Sequence, residues 1–465
     1  MSRSPRRARW RRSTAAIAAL AFVALSASTV APAVAAPAAP IVVEMTPALK
    51  AKIQALIDDF RTSHSISGIS AAVVTPDPHG PNPVITTFAS GEPSFGSGTQ
   101  VDASTQFELG SETKAFTADL LAYLVASNVV SLDDPVQMYA PVGITVPEWI
   151  DPDSGVHTPI TLRDLATHQA GLPDPPWNFT EGCGGPPSCE NPRPGYTQTM
   201  LWSGLESQLL LWQPGTRWLY SNWGFGLLST ILSNVVNSVP ITDPPAYQLT
   251  IEQAFLDDLG MSSTELEPPS PPIATPYYST GAPAFYWDNT NAISGAGGLI
   301  SNANDMGKWV AAHLGYNTAG ASLGVRSMAN TLLPVSTITT ECSSDSQCGP
   351  ADFQMGLAWQ LYSATHADMG APWAFKNGGT AGSSTDTVMA SSLGLGVTTM
   401  FNQERKDNDE VAAVILRLLI AQTKLADTGS ATSWLGATAL GAAALLALGI
   451  ALATDRRRRL GRTGR

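Results

Sequence analysis

The stretch FELGSETKAFTADLLAYLV, residues 107–125, contains the two features that decide the interpretation of this chain. Apolar residues after Ser111 recur at helical spacing, which predicts a helix beginning near Ser111. Ser111 and Lys114 are three residues apart, so their side chains share one helix face, with Cβ atoms about 5–6 Å apart. A serine becomes a nucleophile beside a base, and a partly desolvated lysine can be that base. At a helix N-terminus, the backbone N–H of Ser111 is also free to bind an oxyanion.

A second candidate site is Tyr220-Ser221-Asn222, within PGTRWLYSNW at 214–223 and just before a predicted helix. We expect the phenol of Tyr220, near two ammonium groups, to lose its proton more easily and to shuttle protons. In the alternative interpretation, Tyr220 packs under the sheet and Asn222 caps the helix. Taken alone, the segment favours this structural interpretation.

A third candidate is KNGGTAG at residues 376–382, on a predicted strand. Its glycines let a substrate backbone approach the strand edge, where a backbone N–H can complete an oxyanion hole. Lys376 beside them can hold a substrate carboxylate. A glycine-rich turn between two strands is the alternative.

Together, the three segments resemble the Ser-x-x-Lys, Tyr-x-Asn and Lys-x-Gly motifs of β-lactamases and penicillin-binding proteins, in the same order. The tyrosine form is similar to that of class C β-lactamases and their D-Ala-D-Ala peptidase and esterase relatives. TLRDLATHQAGLP at 161–173 and GAGGLIS at 295–301 are also typical of this family. His168, inside the first of these stretches, is expected to be structural. The resemblance covers about residues 46–422.

The resemblance implies roles for three catalytic residues. Ser111 attacks the carbonyl carbon and forms an acyl-enzyme, and Lys114 accepts or relays its proton. Tyr220 protonates the leaving nitrogen and later helps to activate water. The family needs no metal and no organic cofactor for this chemistry.

The resemblance also implies a substrate-binding set. Asn222 orients the substrate amide and the lysine, Lys376 pairs with a substrate carboxylate, and the N–H groups of Ser111 and Gly379 stabilise the oxyanion. Asn377 departs from the family pattern, which has a hydroxyl residue there, so tight β-lactam recognition is in doubt. Lysine at 376 still favours a substrate that ends in a carboxylate over a simple ester.

The order of predicted elements indicates an α+β fold, and the resemblance implies that this fold is of the β-lactamase/transpeptidase-like type. Strand patterns near both ends of the body imply one antiparallel sheet flanked by helices, with an all-α region inserted at about 112–330 and the active site in the cleft between them. The hydrolase domain is expected to span 36–428. The predicted body elements are a helix after Thr46-Pro47, strands at 69–76, 84–89, 354–362, 373–377 and 385–402, and a helix over Val411 to Ile420.

The two ends of the chain predict export and anchoring. Residues 1–35 have the basic start, apolar run and small-residue cleavage site of a signal peptide, although the choice between Sec and twin-arginine export stays open. Residues 434–454 form an apolar run long enough to span a membrane, followed by a basic cytoplasmic tail at 455–465. LADTG at 425–429 resembles an actinobacterial sortase signal, which implies cleavage after Thr428. A plain membrane anchor is the alternative.

Charge and cysteine content restrict the partners. Of 26 basic and 38 acidic residues, twelve arginines and Asp455 lie in the end segments, so the exported body has 14 basic against 37 acidic residues and a net charge of −23. Nucleic acid is therefore a poor partner. The cysteines form two close pairs, which we expect to be local disulfides rather than one zinc site: Cys183/Cys189 and Cys342/Cys348.

The first functional hypothesis is a D-Ala-D-Ala carboxypeptidase or related muropeptide hydrolase, secreted and anchored to the wall or membrane on the extracellular side. A β-lactamase or an esterase of the same fold would use the same acylation chemistry. A wall-displayed binding protein on an inactive hydrolase scaffold is the non-enzymatic alternative. The expected partners are a peptidoglycan peptide or β-lactam-like small molecule, a sortase and, through the C-terminal segment, the membrane; the oligomeric state is undetermined.

Overall fold

A computed structural model describes residues 43–179, 195–237, 246–266, 273–287, 291–316, 320–404 and 411–427. Several predicted features lie outside these ranges: the signal peptide, the apolar run at 434–454, the basic tail, Thr428 and the Cys183/Cys189 pair. Within the described part of the chain, no helix combines the length and apolar character needed to cross a membrane.

The helices are distributed along the whole described chain, with short 3₁₀ turns and one π-helical turn (Glu252–Leu256) between them. They are α1 (Pro47–Ser63), α2 (Thr113–Ala126), α3 (Leu162–Ala166), α4 (Gln198–Glu206), α5 (Asn222–Asn237), α6 (Tyr247–Ile251), α7 (Asp257–Leu259), α8 (Ala303–His313), α9 (Leu323–Ser327) and α10 (Val411–Asp427).

Eight strands form one antiparallel sheet in the order β2-β1-β15-β14-β13-β12-β11-β8. The others form small sheets: β3 with β7, β4 with β5, and β6-β9-β10. The strands are β1 (Gly68–Pro76), β2 (Pro83–Gly91), β3 (Phe107–Glu108), β4 (Glu148–Ile150), β5 (His157–Pro159), β6 (Trp218–Leu219), β7 (Ile300–Ser301), β8 (Ser336–Thr337), β9 (Thr340–Cys342), β10 (Cys348–Pro350), β11 (Gln354–Met355), β12 (Gln360–Tyr362), β13 (Trp373–Gly379), β14 (Ser384–Ala390) and β15 (Leu395–Phe401).

Helices cover both faces of the large sheet. In β1, alternate residues join two different cores: Ile69 and Val73 pack with α1 and α10, whereas Ala72 and Val74 pack with the helical region. Because both faces are buried, the strand is a nearly continuous apolar run rather than an alternating one. This architecture confirms the predicted fold class and brings strands from both ends of the body together beside α2.

The terminal helices follow the sequence pattern. The side chain of Thr46 accepts a hydrogen bond from the N–H of Leu49 at 3.2 Å, and Pro47 occupies the first turn of α1, where no intrahelical donor is needed. The helix predicted after Thr46-Pro47 is therefore present as α1. The predicted closing helix is also present as α10 and extends further than expected.

Three predicted boundaries need correction. The strand expected at 385–402 is two strands, β14 and β15, separated by a turn that ends at Gly394 with φ +64°, a conformation that favours glycine. The strand expected at 354–362 is β11 and β12 with a gap between them. The region at 112–330 is mainly helical, as expected, but also contains β4, β5, β6 and β7.

Candidate active site

Ser111 lies in a tight 3₁₀ turn, Gly110–Glu112, that leads directly into α2. Gly110 has φ +51°, and a Cβ on it would lie 2.5 Å from the carbonyl oxygen of Gly379. A Cβ on Gly378 would lie 1.9 Å from the carbonyl oxygen of Leu109. The two glycines therefore allow the nucleophile turn and β13 to touch backbone against backbone, which brings the first and third motifs together.

Lys114 is fully buried one turn further along the chain, and its ammonium group is held by three acceptors. Its Nζ donates to Ser111 Oγ at 3.2 Å, to Asn222 Oδ1 at 2.7 Å and to the carbonyl oxygen of Ala296 at 2.6 Å. Burial lowers the pKa of Lys114 well below its ordinary value, and the positive charge of Lys376 lowers it further. A lysine of lowered pKa in contact with a serine hydroxyl can act as its base.

Tyr220 follows β6 and faces both lysines. The Nζ atoms of Lys114 and Lys376 lie 4.7 Å and 5.8 Å from the centre of its ring. Burial nevertheless raises the pKa of Tyr220 above its ordinary value, although a hydrogen bond with Ser111 opposes that shift. The expectation that neighbouring ammonium groups make this phenol more acidic is therefore wrong. Burial disfavours the phenolate, and it also lowers the pKa of each lysine whose charge would have stabilised it.

Lys376 lies on β13, with only 5% of its surface exposed. Its Nζ donates to the carbonyl oxygen of Asn377 at 2.6 Å. Burial lowers the pKa of Lys376 to about 8, against the opposing effect of the carboxylates of Glu112 and Asp386. The side chain of Asn377 is half-buried beside it. Lys376 can thus present a positive charge near neutral pH beside Tyr220.

The end of β13 provides a backbone donor at the surface of the cleft. Thr380 donates its N–H to the carbonyl oxygen of Ser383 at 2.9 Å, and Gly379 is paired with Ser384 one step further along the hairpin. Hydrogen-bonded and non-hydrogen-bonded pairs alternate in an antiparallel ladder, so the N–H of Gly379 points away from β14. Gly379 is exposed and its backbone contacts the turn before Ser111, so its N–H and that of Ser111 can face one oxyanion.

Asn222 is the first residue of α5 and lies between Lys114 and an acidic residue that sequence reasoning missed. Asp174 accepts from Asn222 Nδ2 at 2.9 Å and from the N–H of Trp223 at 2.9 Å. The family-like stretch quoted from the sequence ends at Pro173, one residue earlier. The residues after Pro173 are rich in proline, and nothing local in the sequence shows that they fold back onto α5.

Three other buried groups surround the motifs. His168 accepts the N–H of Ser221 at 3.0 Å through Nδ1, and burial lowers its pKa well below the ordinary value, which fits the structural role expected for it. Burial raises the pKa of Glu112 to about 7. Glu108 accepts from Thr380 Oγ1 at 2.7 Å and so ties β3 to the turn after Gly379.

A cavity of about 190 Å³ opens beside Asn222. It is mainly apolar and could accept a side chain of an acyl donor. Its walls include Pro175, Phe179, Trp223, Trp287 and Ile293. In the described ranges, no group of three or more histidine, cysteine, aspartate or glutamate residues is arranged to hold a metal ion.

Cys342 and Cys348 form the predicted local disulfide, across the hairpin of β9 and β10. This hairpin is more than a surface loop, because β9 pairs in parallel with β6 and places Cys342 opposite Leu219, the residue before Tyr220. Trp218, Ile338, Phe353 and Met355 form a small apolar cluster against which Tyr220 packs.

The chain is similar to proteins of one group in both sequence and structure. It is 32% identical over 227 residues to the D-alanyl-D-alanine-carboxypeptidase/endopeptidase AmpH of Escherichia coli K12, a match covering 48% of this chain and 53% of that protein. It is 27% identical over 335 residues to the unguisins hydrolase ungD' of Aspergillus campestris, covering 69% and 57% of the two chains. The chain thus spans about half the length of the curated relatives it matches.

Solved structures show the same fold. A β-lactamase/D-alanine carboxypeptidase from Yersinia pestis superimposes with a TM-score of 0.62 at 21% identity, covering 82% of this chain and all of that one. A class C β-lactamase from Rhodobacter sphaeroides gives a TM-score of 0.60 at 22% identity, covering 79% and 99%. The Beta-lactamase family profile matches residues 53–422, most of the chain. With its fold and the convergence of Ser111, Lys114 and Tyr220, the chain belongs to the Beta-lactamase family of serine hydrolases.

Proposed function

We propose that this chain hydrolyses a D-Ala-D-Ala-type peptide through an acyl-enzyme on Ser111, as a carboxypeptidase. The observation that carries the proposal is the 3.2 Å contact between Lys114 Nζ and Ser111 Oγ, at a position where burial lowers the pKa of the lysine. The similarity to a D-alanyl-D-alanine-carboxypeptidase supports the choice of substrate class.

The first half-reaction forms the acyl-enzyme. Neutral Lys114 takes the proton of Ser111 as Oγ attacks the carbonyl carbon, and the resulting oxyanion accepts from the N–H groups of Ser111 and Gly379. Because burial keeps the phenol of Tyr220 protonated, that phenol can donate its proton to the leaving nitrogen. Collapse of the tetrahedral intermediate breaks the C–N bond and releases the amine product.

The second half-reaction restores the enzyme. Water attacks the acyl carbon while Tyr220, now deprotonated, accepts the proton of that water, and the new oxyanion occupies the same two N–H groups. The ester bond to Ser111 then breaks, Oγ recovers a proton from Lys114, and the free acid leaves. Lys376 supports a donor that ends in a carboxylate, because its ammonium group faces Tyr220 and, among the described residues, has one hydrogen bond, to the carbonyl oxygen of Asn377.

The test compares three acyl donors on the full-length chain: a D-Ala-D-Ala peptide, a fluorescent penicillin and p-nitrophenyl acetate. We expect Ser111→Ala to abolish turnover and the acyl adduct seen by mass spectrometry, while the matched variant Ser127→Ala, at the other end of α2, keeps both. Peptide turnover without penicillin hydrolysis supports the carboxypeptidase. Rapid penicillin turnover would identify a β-lactamase instead, ester turnover alone an esterase, and unchanged activity in Ser111→Ala would contradict the nucleophile assignment.

We also propose that the enzyme is exported and anchored on the extracellular side, next to peptidoglycan. The support is the order of LADTG at 425–429, an apolar run at 434–454 and a basic tail. Thr428→Ala should move the protein from the wall fraction to the membrane fraction if a sortase joins it to the wall. An unchanged distribution would leave a plain membrane anchor.

A further inference from the structure

We propose that Asp174 is a positioning residue for the acylation step, and that it sets the orientation of Asn222 and the charge environment of Lys114. This inference rests on the proposed function of the site. Asp174 does not contact Ser111 in the hydrogen-bond network; it acts through its two neighbours. Its carboxylate accepts one bond from the side chain of Asn222 and one from the backbone of Trp223, both at 2.9 Å.

The side-chain amide of Asn222 has two different ends, and its orientation matters for Lys114. A carboxylate only accepts hydrogen bonds, so Asp174 requires Nδ2 of Asn222 to face it. Oδ1 then faces Lys114 and accepts from Nζ at 2.7 Å. The rotated amide would direct an NH₂ group at a lysine that is itself a donor. Asp174 thus selects the rotamer in which Asn222 holds Lys114 close to Ser111.

The carboxylate is itself fixed by the start of α5. The first N–H groups of a helix have no intrahelical partner, and Asp174 accepts the one of Trp223. Ser221 Oγ accepts the next, from Gly224 at 2.9 Å. Asp174 therefore also resembles an ordinary helix cap, which would contribute to stability and leave the reaction untouched. The two roles predict different effects on Lys114.

Charged and titratable groups face Lys114 from each surrounding element. Tyr220 lies before α5, Lys376 lies on β13, His168 follows α3, and Glu112 is on the same turn as Ser111 but interacts with Lys376. Burial raises the pKa of Asp174, while the N–H of Trp223 and the charge of Lys114 oppose that shift. Through the negative charge of its carboxylate form, Asp174 stabilises the ammonium form of Lys114 and opposes the lowering of the pKa of Lys114. Removing that charge should lower the pKa of Lys114 further and extend its basic form to lower pH.

The closing experiment replaces Asp174 by Asn in the full-length chain. The substitution removes the negative charge. It also places an NH₂ donor where the carboxylate accepted hydrogen bonds from Asn222 Nδ2 and from the N–H of Trp223. We expect kcat/KM for p-nitrophenyl acetate to fall about 10- to 100-fold, the size of loss that slight misplacement of a catalytic group produces. We also expect the acid limb of its pH profile to move to lower pH. Asp174→Glu, which keeps the charge, should retain the wild-type position of that limb and serves if Asp174→Asn does not fold.

A matched control is Asp305→Asn. Asp305 is a buried carboxylate elsewhere in the fold that accepts the N–H of Ser263 at 2.8 Å, so its loss should lower stability without moving the pH profile. A second readout needs no turnover: NMR titration of ε-¹³C-lysine-labelled protein, with the Lys114 signal assigned by its absence in Lys114→Ala.

The two measurements separate the two proposals. A lower pKa for Lys114 in Asp174→Asn, with slower acylation, supports the positioning role. An unchanged Lys114 titration and an unchanged pH profile would overturn it and leave Asp174 as a helix cap. If Ser111→Ala and the wild type are equally inactive on every donor, the proposed function fails, while the Lys114 titration still decides the inference about Asp174.

Discussion

The cleft has a helical wall, formed by α2 and the start of α5, and a sheet wall, formed by β13. Each wall buries one lysine, and the two lysines have different surroundings. Lys114, on the helical wall, is 0% exposed and donates to Ser111, Asn222 and Ala296. Lys376, on the sheet wall, is 5% exposed and, among the described residues, has one hydrogen bond, to the carbonyl oxygen of Asn377. One ammonium group is saturated by the protein; the other retains donors for a ligand.

Lys114 and Lys376 are the same residue type, but their different contacts suit them to different tasks. Burial lowers the pKa of both lysines, but only Lys114 touches the nucleophile. Under the proposed function, the helical wall supplies the proton chemistry, and the sheet wall supplies an oxyanion donor and a positive charge for the substrate. A hydrolase could keep the first wall unchanged and alter its substrate through the second.

The largest test of this comparison removes each lysine in turn. Lys114→Ala should lower the acylation rate by about 10³-fold for every donor, because the serine loses its base. Lys376→Ala should lower kcat/KM only for donors with a carboxylate and leave p-nitrophenyl acetate within about tenfold of the wild type. Burst kinetics with an ester and a D-Ala-D-Ala peptide measure both. Equal losses for the two variants on both donors would refute the division of labour.

The contact between the two walls provides the next test. Gly378→Ala would place a Cβ 1.9 Å from the backbone oxygen of Leu109. The backbone at Leu109 can relieve this clash only at a substantial cost in free energy. We expect a loss of about 3 kcal/mol in the free energy of unfolding, measured in denaturant.

The adjacent glycine is the control. At Gly379 the nearest neighbour of an added Cβ would be Ser383, at 3.8 Å, and the N–H of the residue is kept. Gly379→Ala should therefore stay within about 0.5 kcal/mol of the wild type. If both substitutions cost the same, the close approach at Gly378 is not what joins the walls.

Much of this arrangement could be predicted from the sequence, because the motifs are local. The Ser111 turn, the start of α5 after Tyr220 and the β13 strand are each specified by a few adjacent residues. Asp174 could not be found in this way, since its partners are 48 and 49 positions away in the chain. The pKa of Tyr220 was misjudged for a related reason: neighbouring charges can be read from motifs, whereas burial depends on the whole fold.

A pH test examines the sheet wall alone. The pKa of Lys376 is about 8, so its ammonium form is present below that pH and is lost above it. For a carboxylate-bearing donor we therefore expect KM to rise about tenfold as the pH increases through 8, with little change for p-nitrophenyl acetate. Lys376→Arg is the control, because arginine keeps its charge and should flatten the rise. A KM independent of pH in the wild type would argue against carboxylate recognition by Lys376.

The smallest expected effect concerns the disulfide hairpin, which supports the helical wall from outside. The bridge closes a loop with a sequence separation of 6, so removing it by Cys342→Ser with Cys348→Ser should cost about 2 kcal/mol in the free energy of unfolding. Because β9 pairs with β6 immediately before Tyr220, we also expect a few-fold loss of peptide turnover.

The choice of donor identifies the cause of that loss. Under the proposed function, Tyr220 protonates the leaving nitrogen of a peptide, whereas p-nitrophenolate leaves without a proton. Ester acylation should therefore be nearly unaffected in the double variant. Tyr220→Phe should show the same selectivity with a larger peptide defect, and Asp345→Asn, in the exposed turn of the same hairpin, should show neither. An equal loss on both donors would mean that the hairpin supports the whole cleft, and the link from β9 through β6 to Tyr220 would have to be abandoned.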